Sequence, residues 1–235
     1  MITFKAPMIT FKAPLITFKA LGALLTYPNQ ALLDALPELY AAIVEEGALD
    51  KRHRAALKDL MHSMASMEPL EMEEAYVDLF DRGRATSLHL FEHVHGESRD
   101  RGQAMVDLKA QYRKAGLRLA AHELPDYLPA VLEYLSMRPL EEARDMLADC
   151  AHILRALGRQ LAKRQSGYAA VLDAVLALAG EPGMAAGEAA AAPKEKSLDE
   201  EWAEEPVIFG PAAQPCGSKP QVAPVRFIRR REARP

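Results

Sequence analysis

From residue 15 to about residue 180, apolar side chains recur every three or four positions, and no segment sustains the two-residue alternation of a strand. Such spacing gives each segment one apolar stripe along a helix and offers no face to a sheet. Composition points the same way. Aromatics make up 6% of the 235 residues, while Ala, Leu and Met are plentiful, and strands favour aromatic and β-branched residues. The sequence predicts an all-α, single-domain bundle of about eight to nine helices.

Proline, glycine and short polar residues mark the helix ends. Asn29 caps a short helix that Pro37 interrupts or restarts and Gly47 ends. Asp50 caps the next, with Leu57, Leu60, Met61 and Met64 on one stripe. Pro69 opens a helix carrying Met72, Tyr76, Leu79 and Phe80. A polar loop (81–87) leads to an apolar turn and a half at 88–94. A helix with Met105, Leu108 and Tyr112 runs to Gly116, and Pro125 starts another. Pro139 starts the longest, from Met146 through Cys150 to Leu161, and a last helix lies between Ser166 and Gly180.

The two ends differ from this body. MITFKAP stands at 1–7 and again at 8–14, and LITFKA follows at 15–20. Seven residues with a proline in each copy cannot build a stacked repeat. Residues 1–14 therefore read as a dispensable arm, and the fold is expected to begin near Leu15. Residues 181–235 hold 8 of the 16 prolines and almost no periodicity, so they read as a disordered tail. That tail contains an acidic and aromatic segment at 198–209 and a basic end at Arg229–Arg231 and Arg234.

A net charge of −4 and a pI near 6.0 argue against nucleic acid as partner, because phosphate binding needs a basic excess. No uncharged apolar run approaches the roughly 20 residues that span a bilayer, so no direct membrane insertion is expected. Lys5, Lys12 and Lys19 break any signal-like apolar region. Cys150 and Cys216 form no ligand cluster, and a reduced cytoplasmic setting is the simple reading.

GxGxxG, GxxxxGK[ST] and GxSxG are all absent, which leaves nucleotide and acyl-transfer chemistry without a motif. His89 and His93 are four apart, with His95 close by, which keeps a histidine-based metal-dependent enzyme as a remote alternative. Without a cysteine cluster or HExxH, no catalytic residue, metal or cofactor is assigned.

The densest chemistry lies in 78–101, DLFDRGRATSLHLFEHVHGESRDR, where charges and imidazoles alternate with Leu and Phe without helical order. It reads either as a solvated loop with incidental ion pairs or as a recognition surface, apolar groups anchoring and charges orienting. A second cluster, Glu123-Leu-Pro-Asp126-Tyr127, is explained as a helix start with an acidic residue at the N-terminal dipole. With the family resemblance described next, which implies a bound peptide, the expected peptide-binding residues are Tyr76, Phe80, Arg82, Leu88, Phe91, Glu92, His93, Glu97, Arg99, Asp126 and Tyr127. Protonation of His89, His93 and His95 would make this surface more cationic, so a basic ligand is expected to bind less well at acidic pH.

The block YVDLFDRGRATSLHLFEHVHGESRDRGQAM (76–105), together with ELPDYLPAVLEYL (123–135), closely resembles the NarJ family. These are assembly chaperones of respiratory nitrate reductase, within the wider TorD/DmsD-type group of molybdoenzyme chaperones. The resemblance spans about 15–180, and the tail segment from Trp202 to Phe209 looks like the family's acidic C-terminal segment. One departure stands out: the wider group often has Glu-x-Pro-Asp-His, and here Tyr127 replaces the histidine. The resemblance implies a TorD/NarJ-like fold and a non-enzymatic role. A cytoplasmic chaperone would bind the N-terminal segment of the apo nitrate reductase α subunit and keep it competent for molybdenum-cofactor insertion. Molybdenum-cofactor biosynthesis proteins are further candidate partners. The alternatives are a chaperone of another molybdoenzyme and a helical adaptor that binds no peptide.

Overall fold

The apolar stripes become ten α-helices and one 3₁₀ turn among the residues that a computed structural model describes, 15–95, 99–119 and 123–184. In order they are α1 (Ile16–Leu24), α2 (Gln30–Glu46), α3 (Lys51–Ser66), α4 (Pro69–Phe80), the 3₁₀ turn (Arg84–Thr86), α5 (Leu90–His95), α6 (Arg99–Lys114), α7 (Leu128–Ser136), α8 (Leu140–Asp149), α9 (Ala151–Lys163) and α10 (Ala169–Ala179). The expectations for residues 1–14 and for the tail from 185 onward lie outside the described residues.

The core is built around α1, α7 and α10. Phe18, Leu21, Leu24 and Leu25 meet Leu128, Leu132 and Leu135, and all are fully buried. At Gly22 the two backbones approach closely: a Cβ there would stand 3.1 Å from the Pro129 carbonyl oxygen and 3.3 Å from the Leu132 Cβ. A side chain would push α7 away, so glycine sets this packing distance. Helix α10 is apolar nearly all round because α9, α3, α8 and α1 surround it.

Caps fix the helix starts. Asn29 and Asp50 accept the N–H groups of Leu32 and His53, each at 2.9 Å. Leu15 offers α1 no side-chain cap, and Glu46 supplies one from the end of α2, accepting the N–H groups of Ile16 and Thr17 at 2.9 and 2.8 Å.

Four details differ from the sequence reading. Among the described residues there are ten α-helices, where about eight to nine were expected. Pro37 does not break α2, which runs unbroken from Gln30 to Glu46; the proline lies on the exposed face, where water can satisfy the unpaired Leu33 carbonyl. The long helix expected after Pro139 is two, divided at Cys150, whose backbone (φ −103°, ψ 7°) leaves the helical region. Ala143, Leu147, Ala151 and Leu154 keep helical spacing across that break, which hides it from pattern reading. Finally, α7 begins at Leu128 rather than Pro125, with Pro129 in its first turn. The described chain also continues past Gly180: Arg155 bonds Glu181 Oε2 at 3.2 Å, and Asp173 accepts the Met184 N–H at 2.8 Å.

Candidate functional site

The 3₁₀ turn delivers residues 87–91 alongside residues 126–128, although 35 or more positions separate the two stretches. They pair as an isolated antiparallel bridge between His89 and Tyr127. Leu90 N–H donates to the Asp126 carbonyl at 3.1 Å, and Leu128 N–H donates to the Leu88 carbonyl at 2.9 Å.

Asp126 locks the junction. Its side chain is completely buried, accepts the Phe91 N–H at 3.1 Å and faces His89 Nδ1 at 3.4 Å. A carboxylate thus caps the start of α5 from another segment, where helical amides lack partners. The loop holding it is fastened from three sides. Tyr112 of α6 donates to the Pro125 carbonyl at 2.7 Å. The hydroxyls of Tyr76 and Tyr127 stand 3.3 Å apart, and both reach the Leu25 carbonyl at the end of α1. Tyr127 therefore serves as a hydrogen-bonding and packing residue where the wider group carries histidine, with its ring 5.3 Å from that of His89.

Glu92 organises the outer side. It accepts the Ser87 hydroxyl at 2.7 Å and Arg101 at 3.2 Å, while Arg84 donates to its carbonyl. Partial burial works against its charge, but Ser87, His89 and Arg101 together hold its carboxyl below the ordinary range. The hydrogen bond to Asp126 raises the pKa of His89; partial burial opposes this, and the charges of Asp126 and Glu92 add to it. A histidine whose pKa is raised on folding stabilises the fold fully below its unfolded value of about 6.5 and loses that contribution as pH rises through the folded value. His89→Gln should therefore lower the melting temperature more at about pH 5.5 than at about pH 8.5. Equal losses at both pH values would show that protonated His89 contributes nothing through Asp126.

Several expected contact residues are structural instead. Tyr76, Phe80 and Leu88 are buried to 5% exposure or less, and Asp126 is fully buried, so none presents a surface to a ligand. Tyr76 and Phe80 stack on each other and on Tyr168 because the core stripe of α4 is Met72, Tyr76 and Phe80. The expected helix-dipole role of Asp126 at α7 is likewise replaced by the cap on α5, since the carboxylate turns inward. Arg82 is exposed and pairs with Asp78 at 2.8 Å. Phe91 and Glu92 are half-buried, and His93 Nε2 bonds the Ser87 carbonyl at 2.9 Å, so His89 and His93 serve different partners. Glu97 lies outside the described residues, as does the side chain of Arg99 at the start of α6. Among the described residues no group of three or more His, Cys, Asp or Glu is placed to hold a metal ion.

Of the expected residues Arg82 alone joins Tyr27, Leu70, Glu73, Glu74, Val77 and Asp78 in the described lining of an open groove of about 400 Å³ along α4. Leu70 is 66% exposed and Tyr27 45%, and the Tyr27 hydroxyl donates to Glu73 at 3.0 Å. The described lining combines Tyr27, Leu70 and Val77 with three carboxylates and one arginine. Its signal in the sequence is a second stripe on α4, Leu70, Glu73/Glu74 and Val77, that the core does not require.

A family model described as the nitrate reductase delta subunit matches residues 46–173. The nitrate reductase molybdenum cofactor assembly chaperone NarJ of Escherichia coli K12 is 51% identical over 156 residues, covering 66% of each chain. A Bacillus subtilis relative, named as a probable chaperone of the same kind, is 36% identical over 158 residues, 67% of this chain and 85% of that one. The chain thus spans just under two thirds of the E. coli relative's length. The crystal structure of a proposed redox enzyme maturation protein from Archaeoglobus fulgidus shares the fold, with a TM-score of 0.52 at 18% identity over 75% of this chain and all of that one.

Proposed function

The chain belongs to the nitrate reductase delta subunit family, and from that premise we propose that it is an assembly chaperone of nitrate reductase rather than an enzyme. It binds the N-terminal segment of the apo α subunit in the cytoplasm and holds that subunit competent for molybdenum-cofactor insertion. No helix among the described residues is long and apolar enough to cross a membrane. The chaperone meets its client before the complex docks there.

The observation that carries this reading is the groove along α4. Apolar Tyr27, Leu70 and Val77 beside the carboxylates of Glu73, Glu74 and Asp78 suit one kind of ligand: an amphipathic helical peptide with apolar anchors and basic flanks. The half-buried Phe91 and Glu92, held in place by Asp126 and Arg101, extend the same recognition region in this proposal. Contact of the groove with the peptide is apolar and electrostatic, and no covalent chemistry is required of any residue.

The test is co-purification from cells that contain or lack the nitrate reductase α subunit. The chain is expected to retain the full-length α subunit and to lose it when the subunit's N-terminal segment is deleted. Equal retention of the truncated subunit would refute the N-terminal client, and failure to retain any α subunit would refute the chaperone assignment.

A further inference from the structure

A second concavity, of about 700 Å³, lies at the C-terminal end of α6 and the turn beyond it, lined by Lys109, Arg113, Gly116, Leu117, Arg118 and Leu119. Among the described residues its lining carries three cations and no carboxylate, in a chain whose net charge is −4. Among the described residues none of the three forms an ion pair, whereas Arg52, Arg82, Arg101, Arg138 and Arg155 each do. Lys109 and Arg113 stand four apart on one helical face, where like charges repel. The helix dipole accounts for Arg113 in the last turn, but Lys109 lies further in and Arg118 lies beyond the end.

The backbone brings the third cation to the other two. Gly116 turns with φ +83°, a conformation that L side chains rarely adopt, and Leu117 N–H closes the turn onto the Tyr112 carbonyl at 2.9 Å. Nothing stands within 4 Å of the Cβ position at Gly116, so the mouth is open there. Leu117 and Leu119 pack against the core and form an apolar wall.

We propose that this pocket binds a phosphate-bearing small molecule, its anionic groups held by Lys109, Arg113 and Arg118 and its less polar part resting on Leu117 and Leu119. The volume falls in the range of small-molecule sites. Guanidinium groups match phosphate oxygens two at a time, and an ammonium adds a point charge. The acidic groove on α4 repels such a ligand, so the two sites take ligands of opposite sign.

The probe is inorganic pyrophosphate, titrated calorimetrically into the full chain at low salt, with a heptaglutamate peptide and anionic phosphatidylglycerol vesicles as comparison. Pyrophosphate should bind with a Kd of about 0.1–1 mM, as a few exposed charge contacts support. The affinity should fall roughly tenfold between about 20 and 200 mM salt as the charges are screened. Arg113→Gln/Arg118→Gln should weaken it at least about fivefold, and Lys109→Gln should weaken it less. Circular dichroism should be unchanged in these variants, because all three side chains are exposed. No measurable binding, or equal binding by the double variant, would overturn the proposal. Preference for heptaglutamate or for vesicles would overturn it too, and would assign the surface to an acidic peptide or to a membrane. None of these outcomes bears on retention of the α subunit, so this proposal and the chaperone reading fail separately.

Discussion

Asp126→Ala is expected to destabilise the chain by about 2–4 kcal/mol, because it strips a buried acceptor from two partners at once. The Phe91 amide, bonded at 3.1 Å, would lose its acceptor, and His89, facing the carboxylate at 3.4 Å, would lose its counter-charge. A hydrogen bond to a charged group contributes roughly 1.5–3 kcal/mol. For a domain of this size the loss corresponds to a drop of about 5–15 °C in melting temperature. Asp126→Asn keeps the volume and one acceptor oxygen and should lose distinctly less. Thermal melts followed by circular dichroism measure both. Alanine and wild-type proteins melting together would show that the carboxylate does not hold the 87–91 and 126–128 segments in place.

Much of the fold was legible because helices announce themselves locally. Caps at Asn29 and Asp50, the stripe at Leu57, Leu60, Met61 and Met64, and the left-handed stops at Gly47, Gly116 and Gly180 all stand where the sequence reading put them. What misled the reading was also local. Pro37 is tolerated because its face is exposed, and the break at Cys150 leaves the apolar spacing undisturbed. Neither property can be seen without tertiary context.

The site was legible in part. The density of charged and aromatic groups in 76–101 and 123–127 could be read, but which side chains face outward could not. Aromatic character made Tyr76 and Phe80 look like contact residues, yet they lie on the stripe with Met72 and face the core. Asp126 looked like a dipole partner for its own helix, whereas a partner some 35 residues away claims its oxygens. Long-range pairing of that kind leaves no periodic trace. Leu70 and Val77 went unnoticed because a second stripe on an amphipathic helix resembles ordinary surface apolarity.

The central claim is that the α4 groove holds the client peptide, and calorimetric titration of the α-subunit N-terminal peptide tests it most directly. Burying three apolar side chains releases roughly 5–9 kcal/mol gross, before ordering and association costs are subtracted. The peptide alone should therefore bind with a Kd in the micromolar range, about −8 kcal/mol at best. Leu70→Gln/Val77→Gln removes apolar lining and adds no charge, and it keeps good helix formers on the helix surface. Loss of two such contacts should weaken binding at least about thirtyfold. Melting temperature should scarcely move, since Leu70 is exposed and Val77 only half-buried. Glu73→Gln/Glu74→Gln should cost only a few-fold and should flatten the salt dependence. Micromolar binding by wild type with a thirtyfold loss in the Leu70/Val77 variant is the result this account predicts; undiminished binding by that variant would contradict it.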